Sequence, residues 1–460
     1  MSKKQIAIVL SIVLFAGALS GACSGGGSDT PQTDKTSGSS TEDIAAGCDA
    51  YDEVKLVVSV SESHPAITEM YRTLTEKFAA AHDNVTIEFQ PKDFQSALQT
   101  IKLEMSSDNP PDIVQGNEGW SINGALWEAG LLANLDPYAE YYGWFDEFPE
   151  AALTVNRFTE DAKILGEGIL TGLPVATSLV GVFYNKELLA QIGITDPTVL
   201  DDRDKFVETL ETAKQAGLLP IMVGNAEKNY ALHILSLLNG WFVSAEDINK
   251  WVFNREGQTY DDEARLKATT IYQDWMKQGY YNADMAAVSF PDARSRFSQG
   301  ESVFFITGTW ALGDIAAGLG DKAGFMLFPA GDIGRHQAVG GFSRPLSMSS
   351  KSKYPACAAQ LLDFMVASDD AIEGTIASGR PAAALRGADF PVSDPLLAQH
   401  IAEFQRLDEV NGLFTWEDWP SPTMLELMGS EGQRLLAGEI TPQEFNTAVQ
   451  DNWEEFMASR

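Results

Sequence analysis

The sequence has few cysteines, few histidines and few basic residues for its length. Three cysteines and five histidines are scattered over 460 residues, and none of them have the spacing of a zinc site. We therefore expect neither a metal nor another cofactor. The 65 aspartates and glutamates outnumber the 32 lysines and arginines, which gives a net charge of −33. Such an acidic surface repels nucleic acids and anionic lipid head groups, so we expect no nucleic-acid partner.

Long apolar runs are absent except near the N-terminus. There the basic start MSKK precedes IAIVLSIVLFAGAL (6–19), which has the length of a signal peptide rather than of a membrane span. Small residues then precede Cys23, which resembles the bacterial lipobox, where the cysteine is lipidated and becomes the new N-terminus. This pattern predicts a signal peptide over 1–22 and an extracytoplasmic protein anchored to the cell membrane through Cys23. An ordinary secretory signal, with Cys23 incidental, is the alternative.

The stretch after Cys23 is rich in glycine, serine, threonine and aspartate and has almost no apolar residues. This composition is typical of a solvated, flexible chain, so we expect a tether over residues 23–52. Cys48 and Cys357 are the other two cysteines. An exported protein can form a disulfide bond between them, but the sequence leaves both the bonded and the free state open.

Short apolar runs alternate with amphipathic segments over the first part of the body. Strand patterns at 54–60, 85–90 and 112–116 are separated by helical patterns at 66–82 and 94–105. This order predicts a doubly wound α/β unit with a mostly parallel sheet, in which ligands bind at the carboxyl ends of the strands. A second α/β unit follows, with helices predicted at 204–216, 230–241 and 262–278 and strands at 219–223 and 302–306. Beyond it, the pattern favours one strand over 339–350 and a helix over 354–367.

Four segments, taken together and in order, resemble one known family. They are PPDIV (110–114), LPVA leading into VFYNKELLAQIGI (173–194), FSQGESVFFITGTW (297–310) and GGFSRPLSMSSKSKYPACAAQLLDFM (340–365). The family is that of extracellular solute-binding proteins for sugars, the relatives of maltose-binding protein that serve ABC importers. The similarity covers nearly the whole body, from about residue 53 to residue 455.

The resemblance implies the periplasmic-binding-protein type II fold, in which two doubly wound α/β lobes are joined by a hinge. Lobe one would comprise 53–174 plus 338–385, and lobe two would comprise 175–337 plus 386–460. A sugar of two or more rings would bind in the cleft between the lobes, and closure would present the complex to the permease subunits of an ABC importer. It also implies a monomeric binding protein rather than an enzyme.

Aromatic rings are the first group of candidate ligand contacts, because flat rings stack on the C–H faces of sugars. Trp310 directly follows the predicted strand at 302–306, at a position that resembles a sugar-stacking ring of the family. Trp120 lies on the matching loop of lobe one, and the loop FTWEDWPSP (414–422) adds Trp416 and Trp419. The alternative for each ring is a place in a hydrophobic core.

Polar residues near the ends of predicted strands form the second group, because sugar hydroxyls need fixed partners. The candidates are Glu62 and His64 after the first strand, Asn117 and Glu118 beside Trp120, Ser178 in the crossing segment, Asn225 and Tyr230 after a lobe-two strand, and Arg380 at a helix end. Gly341 and Phe342 would allow close approach of a strand to the ligand. The acidic pair Glu417-Asp418 is typical of a helix start or a solvated turn.

Two other functions remain open from the residues alone. A secreted glycoside hydrolase would also stack sugars, but no matched pair of acid and nucleophile stands out in the sequence. A binding protein for a polyamine or a peptide is the other alternative, and the acidic composition is compatible with a polyamine. The aromatic content and the family resemblance favour a sugar.

Overall fold

The computed structural model describes residues 40–62, 64–342 and 344–460. Within these residues the strands alternate with helices along most of the chain. In chain order the strands are β1 (Val54–Ser61), β2 (Val85–Lys92), β3 (Ile113–Gln115), β4 (Arg157–Phe158), β5 (Ile169–Leu170), β6 (Thr177–Asn185), β7 (Leu219–Met222), β8 (Ser302–Gly308), β9 (Ala323–Met326), β10 (Ala338–Phe342), β11 (Leu346–Met348) and β12 (Leu413–Phe414).

The helices follow the predicted pattern closely where the amphipathic periodicity is strong. In chain order the α-helices are α1 (Thr41–Ala46), α2 (Pro65–Ala81), α3 (Phe94–Ser106), α4 (Ala125–Glu128), α5 (Asp136–Tyr142), α6 (Trp144–Glu147), α7 (Glu150–Thr154), α8 (Lys186–Gln191), α9 (Arg203–Gln215), α10 (Leu232–Phe242), α11 (Ala245–Val252), α12 (Glu263–Lys277), α13 (Phe290–Ser298), α14 (Leu312–Leu319), α15 (Pro355–Ala367), α16 (Asp369–Ala377), α17 (Pro395–Glu409), α18 (Met424–Leu436) and α19 (Pro442–Ala458). Among the described residues, no helix is long and apolar enough to span a bilayer.

The first sheet has the strand order β11-β3-β1-β2. Strands β2 and β3 both pair with β1 in parallel, and β11 joins β3 in the antiparallel direction. Helices α2, α15 and α16 cover it through a core that includes Tyr71, Phe78 and Leu362. The apolar face predicted for α2 is confirmed, because Ile67 and Leu74 are buried together with these rings. The doubly wound arrangement predicted for this part of the chain is therefore confirmed.

The second sheet is mixed and has the order β12-β10-β6-β8-β7, with β9 added beside β6. The long strand β6 organises it, because β10 pairs with residues 177–179, β9 with 182–185 and β8 with 180–184. A large aromatic core that includes Phe183, Phe206 and Trp241 fills the space between this sheet and its helices. The C-terminal helices α17, α18 and α19 contribute buried side chains to the same core.

The chain crosses between the two sheets after Phe342, which corrects two predictions. The single strand expected over 339–350 is wrong, because β10 belongs to the second sheet and β11 belongs to the first. Residues 338–342, which were assigned to lobe one, therefore lie in the second sheet. Hydropathy does not show this crossing, since both short strands are fully buried and the sequence between them is only Ser343-Arg344-Pro345.

The predicted tether ends earlier than residue 52. Residues 41–50 form α1 and a 3₁₀ turn, and Ile44 and Cys48 are buried in the core of the first sheet. Cys48 forms a disulfide bond with Cys357 of α15, which answers the question that the sequence left open. Cys23 and the predicted signal peptide lie outside the described residues.

Candidate functional site

Loops at the ends of the strands of both sheets line a cavity of about 160 Å³. The first sheet supplies residues that follow β1 and β3, and the second supplies residues that follow β7, β8 and β12. This position agrees with the rule that ligands of α/β folds bind outside the carboxyl ends of the strands. The cavity therefore lies where both sheets can contact one ligand.

An aromatic wall lines the side of the cavity that belongs to the second sheet. The rings of Trp310 and Trp416 lie 5.8 Å apart at 42°, and both are partly exposed to the cavity. The imidazole of His233 on α10 meets both edge-on, at 5.2 Å from Trp310 and 5.6 Å from Trp416. Tyr230 stacks on Phe290 with the ring centroids 4.0 Å apart. The wall thus offers flat apolar faces held in fixed orientation.

The sequence Thr307-Gly308-Thr309 explains the orientation of Trp310. Its ring folds back over Gly308, where a Cβ atom would lie 1.9 Å from the indole. Any larger residue at position 308 would therefore push the ring away. The question of whether Trp310 is a core residue or a cleft residue has a clear answer, because it packs against the core with one part and lines the cavity with another.

Burial keeps His233 neutral. It lowers the pKa of this imidazole to about 3, and Nδ1 has no hydrogen-bond partner among the described residues. A neutral imidazole can accept or donate one hydrogen bond according to its tautomer. His233 therefore presents an unpaired polar atom, Nδ1, in a largely aromatic wall.

A buried ion-pair network forms the opposite side of the cavity. Arg344 Nη2 lies 3.1 Å from Glu62 Oε2, and Gln115 Nε2 donates to Glu62 Oε1 at 3.0 Å. Burial alone would raise the pKa of Glu62, but the charges of Arg344 and Arg380 outweigh it and the pKa is lowered. Glu62 is therefore ionised, and Nη2 of Arg380 remains without a hydrogen-bond partner among the described residues.

A third group of titratable residues contrasts with this network. Glu118, Glu417 and Asp418 line the cavity, and burial raises their pKa values to about 8, about 7 and about 6 respectively. Glu417 accepts from Asn239 Nδ2 at 3.0 Å at each of its oxygens. Oε1 of Glu118 is buried and has no partner in the described part of the chain. The interpretation of Glu417-Asp418 as a helix start or solvated turn is therefore wrong.

Most of the predicted contact residues line this cavity. They are Glu62, His64, Asn117, Glu118, Ser178, Tyr230, Trp310, Phe342, Arg380, Trp416 and Trp419. Trp120, Asn225 and Gly341, which the sequence also predicts as contacts, do not line it. Among the described residues no cluster of His, Cys, Asp or Glu could hold a metal ion.

Trp120, Asn225 and Gly341 lie elsewhere in the structure. Trp120 is fully buried and packs on Phe158 and Phe456, while its Nε1 donates to Asn254 Oδ1 at 3.2 Å. Asn225 Oδ1 accepts from the backbone N of Ala231 at 3.0 Å, which fixes the loop that presents Tyr230. Gly341 lies within β10, one residue before Phe342.

Sequence reasoning missed several lining residues, of which Arg344 and His233 matter most. Arg344 follows β10 by two residues, so the strand-end argument could have found it if the end of that strand had been placed correctly. His233 lies in the apolar helix α10, where nothing in the pattern distinguishes it from a core residue. The others are Phe94, Thr177, Asn229, Leu232, Ser236, Phe290, Glu417, Asp418, Leu425 and Met428.

A second cavity of about 720 Å³ lies beside the first and shares His64 and Trp310 with it. Helices α2 and α16 line it from the side of the first sheet, and α14 and residues 390–397 line it from the side of the second. His64 Nδ1 lies 3.2 Å from Asp314 Oδ2, which in turn lies 2.9 Å from Arg294 Nε. These contacts tie the loop after β1 to helices α13 and α14.

Comparison with known proteins places this fold and cavity in a family. Residues 73–399 match the model of the bacterial extracellular solute-binding proteins, so the chain belongs to that family and is extracytoplasmic. A protein of Brucella abortus (strain 2308) described only as a binding protein is 23% identical over 71% of this chain and 74% of its own length. The multiple sugar-binding protein of Streptococcus mutans is 22% identical over 62% of this chain and 71% of its own.

Solved structures share the same architecture. A chitin oligosaccharide binding protein superposes with a TM-score of 0.76 at 21% identity, over 89% of this chain and all of its own. At this identity the likeness shows the fold alone. It is the two-lobed fold of maltose-binding-protein-like solute receptors, as the sequence predicted.

Proposed function

We propose that the cavity lined by Trp310 and Trp416 captures a sugar of two or more rings and that the loaded protein delivers it to an ABC importer. The observation that carries the proposal is the pairing of an aromatic wall with buried hydrogen-bonding groups on the other side. A sugar ring has apolar C–H faces and a rim of hydroxyls, so it needs both kinds of surface at once.

The polar groups suit hydroxyls because they supply both donors and acceptors. Arg380 Nη2 offers a free donor, and Glu118 Oε1 offers a free acceptor. Each would gain a hydrogen bond on ligand binding without losing one inside the protein. The second cavity, which shares Trp310 and His64 with the first, supplies room for a further ring.

The names of relatives support a saccharide and an importer partner. Proteins named for multiple sugars, maltodextrin and galactooligosaccharide share 22% identity with this chain over about half of its length or more. The proposed role is capture without turnover, since the carboxyl groups of the cavity serve as hydrogen-bonding groups. We also propose that Cys23 carries a lipid anchor and that the protein acts as a monomer.

The lobe assignment is part of the same proposal. Lobe one would be 53–174 plus the chain from β11 to about 385, and lobe two would be the remainder of the body. Ligand contacts from both lobes exist only when the cleft is closed, so binding would shift the population toward the shape that the permease recognises.

Calorimetric titration with mono- and oligosaccharides tests the proposal, with spermidine and short peptides as comparison ligands. We expect one sugar family to bind and Trp310→Ala to weaken its binding by about 10- to 100-fold, since a central aromatic contact is worth ~1–3 kcal/mol. Trp310→Phe keeps an aromatic ring, so it should lose much less affinity for the sugar. Binding only of spermidine or peptides, or equal affinity in all three proteins, would contradict a sugar stacked on Trp310.

A further inference from the structure

Two loops from different sheets meet at one end of the cavity. The loop after β3 carries Glu118, and the loop after β12 carries Asp418. The backbone N of Trp120 donates to the carbonyl O of Trp419 at 3.0 Å, and a Cβ atom on Gly119 would lie 2.4 Å from Cβ of Trp419. The two carboxyl groups therefore leave from neighbouring backbone segments and share the same end of the cavity.

Within the described part of the chain, neither carboxyl group forms an ion pair with a basic side chain. Arg344 acts on Glu118 through its charge but makes its short contact with Glu62. Glu118 is 2% exposed, its Oε1 has no partner among the described residues, and the charge of Asp418 disfavours its ionisation further. A buried carboxyl oxygen without a partner is costly, so the place of Oε1 in a ligand cavity indicates that the ligand supplies its partner.

From this arrangement we infer that the Glu118 and Asp418 end of the cavity holds a protonated amino group, so that the preferred ligand is an amino sugar. The inference rests on the proposed function. A hydroxyl donates one hydrogen and carries no charge, so it satisfies one of the two groups. An ammonium group has three donors and a positive charge, so it satisfies both.

The aromatic surroundings favour the same group. Trp419 and Trp416 lie on either side of the acidic pair in the sequence, and both rings line the cavity. The face of an indole ring attracts a cation, and the attraction is larger where water is excluded. A bound metal ion is a poor substitute, since none of the described residues form a cluster that could coordinate one.

Matched ligands test the inference on the intact protein. The ligand sets are glucosamine with glucose, galactosamine with galactose, and the β-1,4-linked trimers of glucosamine, N-acetylglucosamine and glucose. The members of each set differ only in the group at C2 of each ring. We expect at least one amino sugar to bind about tenfold or more tightly than its hydroxyl and N-acetyl counterparts, because a charge-assisted hydrogen bond replaces a neutral one. In Glu118→Gln the amino sugar and its hydroxyl counterpart should bind with nearly equal affinity. Glu256→Gln, which removes an exposed carboxylate, should leave it unchanged.

Proton exchange gives a second readout that a purely structural role of Glu118 would not produce. Burial keeps Glu118 protonated near neutral pH, and its charged or titratable neighbours are Arg344, Asp418 and, beside Asp418, Glu417. Binding of an ammonium group at about pH 6 should release about one proton from Glu118 and roughly half a proton from Asp418, measured by calorimetry in two buffers of different ionisation enthalpy. The neutral counterparts should release none.

The outcomes separate this inference from the proposed function. If a neutral sugar binds and no amino sugar binds more tightly than its counterpart, the inference fails and the sugar-binding function stands. The inference also fails if the preference survives in Glu118→Gln or if no proton is released. If no saccharide of either kind binds, both are overturned.

Discussion

Three glutamates of one cavity differ in charge because their partners differ. Glu62 lies beside Arg344 and Arg380 and its pKa is lowered, although burial acts in the opposite direction. Burial raises the pKa values of Glu118 and Glu417, because among the described residues neither forms an ion pair and Glu417 is held by hydrogen bonds from Asn239 and Ser236. The same type of side chain is therefore ionised at one end of the cavity and neutral at the other.

Glu118 should make the stability of the ligand-free protein depend on pH. Its pKa is about 8 in the folded chain, well above its ordinary value of 4.5, so the folded state binds more protons between these limits. The free energy of unfolding should therefore fall as pH rises through this range, by about 1.5 kcal/mol between pH 6.5 and pH 8. Glu417, with a pKa of about 7, should add to the loss. Urea unfolding at the two pH values measures it.

The buried histidines act in the opposite direction and partly offset this effect. Burial lowers the pKa of His233 and His400 to about 3, whereas each imidazole titrates near its ordinary value of 6.5 in the unfolded chain, so each adds about 0.4 kcal/mol of stability between pH 6.5 and pH 8. The difference between the wild type and Glu118→Gln isolates the carboxyl group, because the histidines are the same in both proteins. We expect a smaller decline in Glu118→Gln and an unchanged one in Glu256→Gln. A Glu118→Gln protein that loses as much stability as the wild type would show that Glu118 is already ionised.

The site could be predicted at the level of strand ends but not of individual orientations. The positions directly after buried strands predict that Glu62, Glu118 and Trp310 are neighbours in space, and all three line the cavity. Trp120, two residues after Glu118, points into a core instead. Nothing in the spacing distinguishes the two directions, because they depend on the packing of Phe158 and Phe456 from distant parts of the chain.

Among the elements, the loop after β3 depends on one glycine. Gly119 has a φ of +74° and lies against Trp419, so Gly119→Ala introduces both backbone strain and a clash with a backbone atom at 2.9 Å. Gly130 has a similar φ of +68° but nothing within 4 Å of an added Cβ. Gly130→Ala therefore measures the cost of the backbone strain without a clash.

We expect Gly130→Ala to lower the free energy of unfolding by about 1 kcal/mol, which is the cost of the positive φ. Gly119→Ala should lower it by more and should also weaken ligand binding, since Glu118 and Trp419 would move. Thermal unfolding and titration with the identified ligand measure the two effects. Equal losses in the two variants would show that the loop adapts without disturbing the cavity.

The N-terminal helix α1 is held to the first sheet by the Cys48–Cys357 disulfide bond. The bond closes a loop of 309 residues, so it restricts the unfolded chain strongly. We expect Cys48→Ser/Cys357→Ser to be less stable by ~2–4 kcal/mol, with a lower melting temperature. Reductant should lower the melting temperature of the wild type and leave the variant unchanged. No difference between the oxidised wild type and the variant would mean that core packing alone holds α1.

Elements were predictable where the local pattern is strong and uninterrupted. The bounds of α2, α9, α12 and α15 agree with prediction to within about two residues, because each has a clear apolar face and a capping residue or proline at its start. The division between β10 and β11 was not predictable, since it depends on pairing with β6 and β3, which are far away in the sequence. Helix α1 was missed because its six residues contain one large apolar side chain, Ile44, which is too few to show an apolar face.

At the scale of the whole molecule, charged contacts join the two sides of the cavity. His64 belongs to the loop after β1, whereas Asp314 and Arg294 belong to α14 and α13 of the second sheet. Arg294 Nη1 also lies 2.9 Å from His64 Nε2, and burial lowers the pKa of His64, so a neutral imidazole can accept from the guanidinium at Nε2 while its Nδ1 donates to Asp314. This set of contacts exists only while the loop after β1 stays against these helices.

Asp314→Asn should therefore favour a more open form of the ligand-free protein. The Asp314 side chain is 42% exposed, so the lost interaction is worth only ~1 kcal/mol, or about a fivefold shift in the closed population. Small-angle scattering should give a larger radius of gyration than for the wild type, and saturating ligand should remove the difference, because ligand contacts on both sides restore closure. The affinity of Asp314→Asn for the ligand should fall by about the same factor. Asp321→Asn, an exposed residue just beyond α14, is the matched control. A variant with unchanged scattering and unchanged affinity would show that these contacts do not determine how far the two sides close.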